Sequence, residues 1–459
     1  MKFNKYCNHY KFILIIVVVL CGITSCKKFL DKKPDKLANV PSSLSDLQAL
    51  LDNSARINES SAVFGEALAD NYYLTASDYN QYISDAQYYT WNKDAIPYGL
   101  PWNVSYPSPV YYSNLALTYL PLVESAPSDA ALYNQIQGSA LFIRAYSFFE
   151  LAQLYCKPFS STAATDPGLL LKQSADINEV VGRASVQTTY DQIINDLKQS
   201  IELLPVRSSV ITRPCKIAAY AELARVYLSM RDYTNAGTYA KMALDQQNAL
   251  LNYNGLIPVQ SPPIKVPNVE VIYYSYNSAQ LLKNDKCKVD SNLYKSYSQD
   301  DLRKKVYFNA NTGAKAGTYY FWGSYAGQKA TWGTFSGLTT SELLLIRAEC
   351  YAKNGNSISA MFDLNTLLKT RWTTGKYVDL VASDASNALQ KIRIERRKEL
   401  VFRNQRWTDL RRYNLEDSTI TLKRIINGKI YTLPPNDNRW VMQIPTDEII
   451  KRGIVQNPR

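Results

Sequence analysis

The stretch 220–243, YAELARVYLSMRDYTNAGTYAKMA, decides how this 459-residue chain folds. Tyr220, Leu223, Ala224 and Tyr227 recur at helical spacing, and beyond Arg231-Asp232-Tyr233 the residues Ala236, Ala240 and Ala243 do so again. Two helices joined by so short a turn run antiparallel. Small side chains at 224 and 236 let their backbones approach closely, and Tyr227 fills the space below them.

The pattern returns as Leu344, Ala348 and Tyr351, then Ala360, Leu364 and Leu367, with Asn354-Gly355-Asn356 as the turn. The alanine interval, 224 to 236 and 348 to 360, is the same. A third first helix shows in Phe148, Leu151, Ala152 and Tyr155 and ends at Lys157-Pro158; its partner waits until Tyr190, Ile193, Ile194, Leu197 and Ile201. This matches the tetratricopeptide pattern, in which stacked hairpins bury a continuous core. The spacing predicts a mainly α fold, tetratricopeptide-like hairpins with long irregular loop insertions and a few short strands, such as the run 269–276. No linker-like segment divides the chain, so residues 26–459 read as one domain.

The amino terminus carries Lys2, Lys5 and Lys11, no acidic group, and nine apolar residues over 12–20. That run is too short for the roughly 20 residues that span a bilayer, and residues 1–25 read as an export signal. Ile23-Thr24-Ser25-Cys26 resembles a bacterial lipobox, which makes Cys26 the acylated (palmitate-bearing) anchor of a domain that itself stays in water. Loss of the leader would remove three lysines from a formal net charge of +12. We read the remaining positive charge as surface chemistry, because an exported lipoprotein meets little nucleic acid.

The sole histidine, His9, lies in that leader. The processed protein would then lack the usual proton shuttle, Ser-His and Cys-His nucleophile pairs and histidine metal sites. A carboxylate-pair glycosidase survives this exclusion, but no pair stands out. Cys156, Cys215, Cys287 and Cys350 show no C-x-x-C spacing; buried thiols are expected, and spacing leaves any pairing open. No metal and no cofactor is expected.

Several segments together resemble the SusD/RagB family of Bacteroidetes outer-membrane lipoproteins. Cys26-Lys27-Lys28-Phe29-Leu30-Asp31 with Pro34 is similar to the family's opening, and the segment from Phe142 to Leu151 with Tyr155 and Pro158 to its first helical repeat. Leu345-Ile346-Arg347-Ala348-Glu349-Cys350-Tyr351-Ala352 and Asp363-Leu364-Asn365 resemble the last repeat. Ile394-Glu395-Arg396-Arg397-Lys398-Glu399-Leu400-Val401-Phe402, Arg406-Trp407-Thr408-Asp409-Leu410-Arg411-Arg412, Trp440-Val441-Met442-Gln443-Ile444-Pro445 and Gln456-Asn457-Pro458 complete the likeness. The resemblance implies a non-catalytic, surface-exposed outer-membrane lipoprotein whose hairpins pack against a SusC-like TonB-dependent barrel. Its irregular side would hold a glycan or other nutrient. A surface glycoside hydrolase and a protein-docking scaffold are the alternatives.

Sugars lay the apolar faces of their rings on aromatic side chains, while amides and carboxylates read their hydroxyls. The chain carries 35 tyrosines against 13 phenylalanines, a bias towards rings with a polar tip. One aromatic cluster lies over 72–102 and another over 294–335. The resemblance points to Trp91, Trp102, Tyr294, Trp322 and Trp332 as the platform, with Asp70 and Asn71 as polar readers. Trp372, Trp407 and Trp440 are assigned structural roles. The arginine-rich segment 393–412 is interleaved with Glu395, Glu399 and Asp409, whose spacing suits helical ion pairs rather than a nucleic-acid stripe.

Overall fold

A computed structural model describes residues 41–81, 83–96, 100–327 and 333–459. The expected export signal 1–25, the expected anchor Cys26 and Trp332 lie outside the described residues. Leu44–Arg459 forms one compact unit.

The helices used below are α1 (Tyr111–Tyr119), α2 (Ala130–Tyr155), α3 (Val186–Leu203), α4 (Lys216–Met230), α5 (Tyr233–Gln246), α6 (Thr340–Lys353), α7 (Ser357–Lys369), α8 (Ala385–Glu399), α9 (Arg406–Asn414) and α10 (Thr446–Arg452). α2 packs on α3, α4 on α5 and α6 on α7, and these hairpins stack through α3 on α4 and α5 on α6. The wide gap between α2 and α3 does not disturb their pairing.

The turns repeat as closely as the faces do. Arg231 (φ 64°) and Gly355 (φ 81°) each stand seven residues beyond the packed Ala224 and Ala348 and reverse the chain in the left-handed region. The next residue then caps the following helix. The Asp232 carboxylate accepts the Asn235 amide at 3.0 Å, and the Asn356 side chain accepts that of Ser359 at 2.9 Å. Ala224, Ala236, Ala348 and Ala360 are fully buried.

The carboxyl end of α2 is held by segments far along the chain. Arg411 of α9 donates to the carbonyls of Gln153 and Cys156, Asn457 donates to that of Tyr155 at 2.8 Å, and the Met442 amide to that of Leu154 at 2.7 Å. These contacts satisfy carbonyls that a helix end leaves unpaired and set a cation at its negative pole.

The arginine-rich segment is a lattice of buried ion pairs, as expected, but most of its bonds run between elements rather than along one helix. Arg396 pairs with Asp409 at 2.8 Å, Arg412 with Glu349 at 2.7 Å, and Arg303 with Glu395 at 2.6 Å. α8 ends at Glu399, and left-handed Phe402 and Asn404 turn the chain before Arg406. Cys156, Cys215, Cys287 and Cys350 are buried free thiols.

Among the described residues each strand pairs with a single partner. The strand-like run 269–276 splits: Val271–Tyr273 pairs with Leu338–Thr339, and Tyr276–Ser278 with Gly333–Phe335. β1 (Tyr72–Tyr73) pairs antiparallel with β2 (Lys288–Val289), which sets the first aromatic region against the segment that leads into the second, and Lys288 reinforces this by donating to Asp78.

Candidate functional site

β3 (Phe308–Ala310) and β4 (Tyr319–Phe321) form a short antiparallel hairpin with Phe308 opposite Phe321 and Asn309 opposite Tyr320. Phe321 points inward and stacks on Phe402, ring centres 4.7 Å apart. Strand alternation sends Tyr320 to the other face. The Trp322 amide donates to the Tyr307 carbonyl at 2.6 Å, and its indole meets Tyr320 edge-on at 6.2 Å. Gly323 is required here: a Cβ would stand 2.4 Å from the Val306 carbonyl oxygen.

Tyr294 reaches the same hairpin from the short helix Ser291–Ser296, whose start is capped by Asp290 accepting the Leu293 amide at 2.8 Å. Its ring stacks on Tyr319 at 3.6 Å with 16° between the planes, and meets the edge of Phe308 at 5.7 Å. The Lys304 ammonium lies 5.0 Å from the centre of the Tyr294 ring. Burial and the contact with Tyr319 push the Tyr294 phenol above its ordinary range, so it stays a neutral hydrogen-bonding group. Tyr294, Tyr319, Tyr320 and Trp322 are all half-buried. That combination of held ring, partial exposure and polar tip suits the face of a sugar.

The other expected site residues sit elsewhere. Trp91 is only 3% exposed; its indole donates to the Leu68 carbonyl at 3.1 Å and lies 5.2 Å from the Arg424 guanidinium. A ring enclosed in this way offers no open face, which corrects the expectation of a platform there. Asp70 and Asn71 are likewise engaged within the fold rather than presented as polar readers. Asp70 takes two bonds from Arg406, at 2.7 and 3.0 Å, while Asn71 is fully buried between Glu66 (2.8 Å) and Arg397 (3.1 Å). Burial opposes ionisation of Asp70, but Arg406 and Arg397 hold its carboxyl well below the usual carboxylate range.

Trp102 is also 3% exposed, packed on Tyr106 at 4.6 Å and against Tyr155 at 5.1 Å. It forms the back wall of a separate cleft of about 510 Å³ between the α1 region and α10. Sequence reasoning missed that cleft because its two walls lie more than 300 residues apart. Lys304 was missed for a related reason, since nothing in its neighbours marks the Tyr294 ring beneath it. Among the described residues no cluster of metal-ligating side chains occurs, and no helix is long and apolar enough to cross a membrane.

Stacked helical hairpins with an aromatic strand pair inserted between them define a class of tetratricopeptide-like scaffold with grafted loops. The chain belongs to the SusD/RagB family: residues 28–228 match the family described as starch-binding and associating with the outer membrane, and residues 338–459 match the SusD family. SusD-like protein P2 of Formosa agariphila is 23% identical over 344 residues, covering 62% of this chain and 66% of that protein. A SusD superfamily protein of Bacteroides thetaiotaomicron has the same fold, with a TM-score of 0.75 at 22% identity over 91% of this chain and 100% of that one. The surface glycan-binding protein A of Bacteroides uniformis aligns at a TM-score of 0.69 and 15% identity, covering 90% of this chain and 99% of its own.

Proposed function

We propose that this chain is a non-catalytic, lipid-anchored surface protein that binds an oligo- or polysaccharide and delivers it to a SusC-like TonB-dependent transporter. The reading is carried by the half-buried rings gathered at the β3–β4 hairpin, Tyr294 stacked on Tyr319 and Trp322 edge-on to Tyr320. Trp332 belongs to the same proposal, ten residues beyond Trp322. Family membership supports it, as does the binding named for the B. uniformis protein. Cys26 supplies the tether, and the partner barrel takes over the ligand.

Isothermal calorimetry of the protein against a panel of starch, laminarin, pectic and host-type oligosaccharides tests the binding step. At least one should bind without cleavage, and Trp322→Ala should weaken it. Release of new reducing ends, or undiminished binding by the variant, would reverse the conclusion. Co-purification of a barrel with the membrane-extracted protein tests delivery.

A further inference from the structure

The cleft behind Trp102 shares no residue with the β3–β4 hairpin, and its lining has a chemistry of its own. Tyr106 and Tyr111 give it an aromatic side, and Ile177, 68% exposed, overhangs it. Its volume falls within the range of about 300–1,000 Å³ typical of small-ligand sites.

Lys172 is the unusual member. It is half-buried, and its ammonium has no hydrogen-bond or ion-pair partner among the described residues. Its backbone, by contrast, is pinned: the Lys172 carbonyl accepts from Asn114 at 2.9 Å, and the Leu170 carbonyl accepts from the Tyr106 hydroxyl at 2.9 Å. Asn114 is in turn fixed by Arg144 at 3.1 Å, which is paired in the core with Asp196. An ammonium with no direct partner, on a backbone fixed in this way, is available to an external anion.

The other lining charges are mixed in sign. Arg452 is committed to Glu448 at 2.6 Å and to the Glu179 carbonyl, and Asp176 accepts the Asn178 amide at 2.8 Å. Lys451 and Asp447 are exposed on α10. Burial, then repulsion from Arg452, lowers the Lys172 ammonium below its ordinary range, against the opposing pull of Glu448 and Glu179.

We infer that this cleft is a second ligand site, which takes a saccharide bearing a carboxylate or sulfate group. Lys172 meets the anion, with Lys451 adding to the attraction; Tyr111 and Ile177 cover a ring face, and Asp447 accepts from ring hydroxyls. The site stands independently of the hairpin reading.

Calorimetry of the full chain with trigalacturonate, a sulfated galactan trimer and neutral galactotriose tests it. At least one anionic trimer should bind, weakening several-fold at about 0.5 M salt as screening shortens the reach of the charges. Lys172→Met, which keeps the chain length of the side chain, should lose about tenfold, the scale of one charge-assisted hydrogen bond. The exposed Lys451→Glu should lose a smaller factor in the same direction. Equal binding of galactotriose, full binding by both lysine variants, or no binding of either anionic trimer would overturn the inference. Which trimer binds separates carboxylate from sulfate.

Discussion

Arg412 and Glu349 form a doubly hydrogen-bonded pair, 2.7 Å at each nitrogen, with both side chains essentially out of solvent. The pair ties α9 to α6, so the arginine-rich segment is bolted to the last hairpin. Glu349→Gln should remove about 3–5 kcal/mol of folding stability, because it leaves a buried guanidinium with only part of its counter-charge. Urea denaturation of the two proteins measures this, and a loss under 1 kcal/mol would mean the pair is dispensable.

The same pair gives the acid limb of stability its direction. Burial alone would raise the Glu349 carboxyl, but Arg412 and its neighbours lower it to about 2. Its contribution is complete above the ordinary carboxylate value and is lost as pH falls towards about 2. Denaturation midpoints collected below pH 4 should therefore drop less steeply in Glu349→Gln.

Glu222 behaves in the opposite sense. Burial, opposed by Arg225 and reinforced by Glu150 and Glu342, raises it to about 8, and burial raises Glu66 to about 7. Both groups bind their protons more tightly in the folded state, so stability declines as pH rises from about 4.5 to about 8. Glu222→Gln mimics the protonated acid and should flatten that slope; an unchanged slope would show that the carboxyl ionises without cost.

Asp70 separates a structural role from a ligand-reading one. Loss of its charge in Asp70→Asn weakens two bonds to Arg406 and should cost about 1.5–3 kcal/mol of stability. Glycan affinity, measured well below the melting temperature, should stay within about twofold, on the order of 0.4 kcal/mol.

Gly323 sets the height of Trp322. A methyl group there would press on the Val306 carbonyl and the Tyr307 Cα, at 2.4 and 2.8 Å. Gly323→Ala should displace the indole and reduce glycan binding by about as much as losing a stacked ring, roughly 0.5–1.5 kcal/mol. Retained affinity would place the contact surface elsewhere.

Much of the architecture was legible in the chain itself. The alanine intervals at 224–236 and 348–360, the left-handed turn residues seven positions later and the caps that follow are local features, and local features specify hairpins. The pairing of the helix ending at Tyr155 with the one around Ile193 followed from the same periodicity, despite the gap. The ion pairs around Glu395 were expected along a helix because sequence spacing shows only near neighbours; their partners at 303, 349 and 409 come from other elements.

By itself, then, the sequence determined the stacked hairpins and the family, since helical periodicity, close packing at alanine and cap chemistry act between residues a few positions apart. Only the tertiary structure decided which aromatics are open. Trp91 and Trp322 are the same residue type in similar company, yet one is enclosed by Leu68 and Arg424 while the other stands half-exposed on a hairpin. Exposure depends on what distant segments cover, and for the cleft at Lys172 the covering wall arrives from α10, at the far end of the chain.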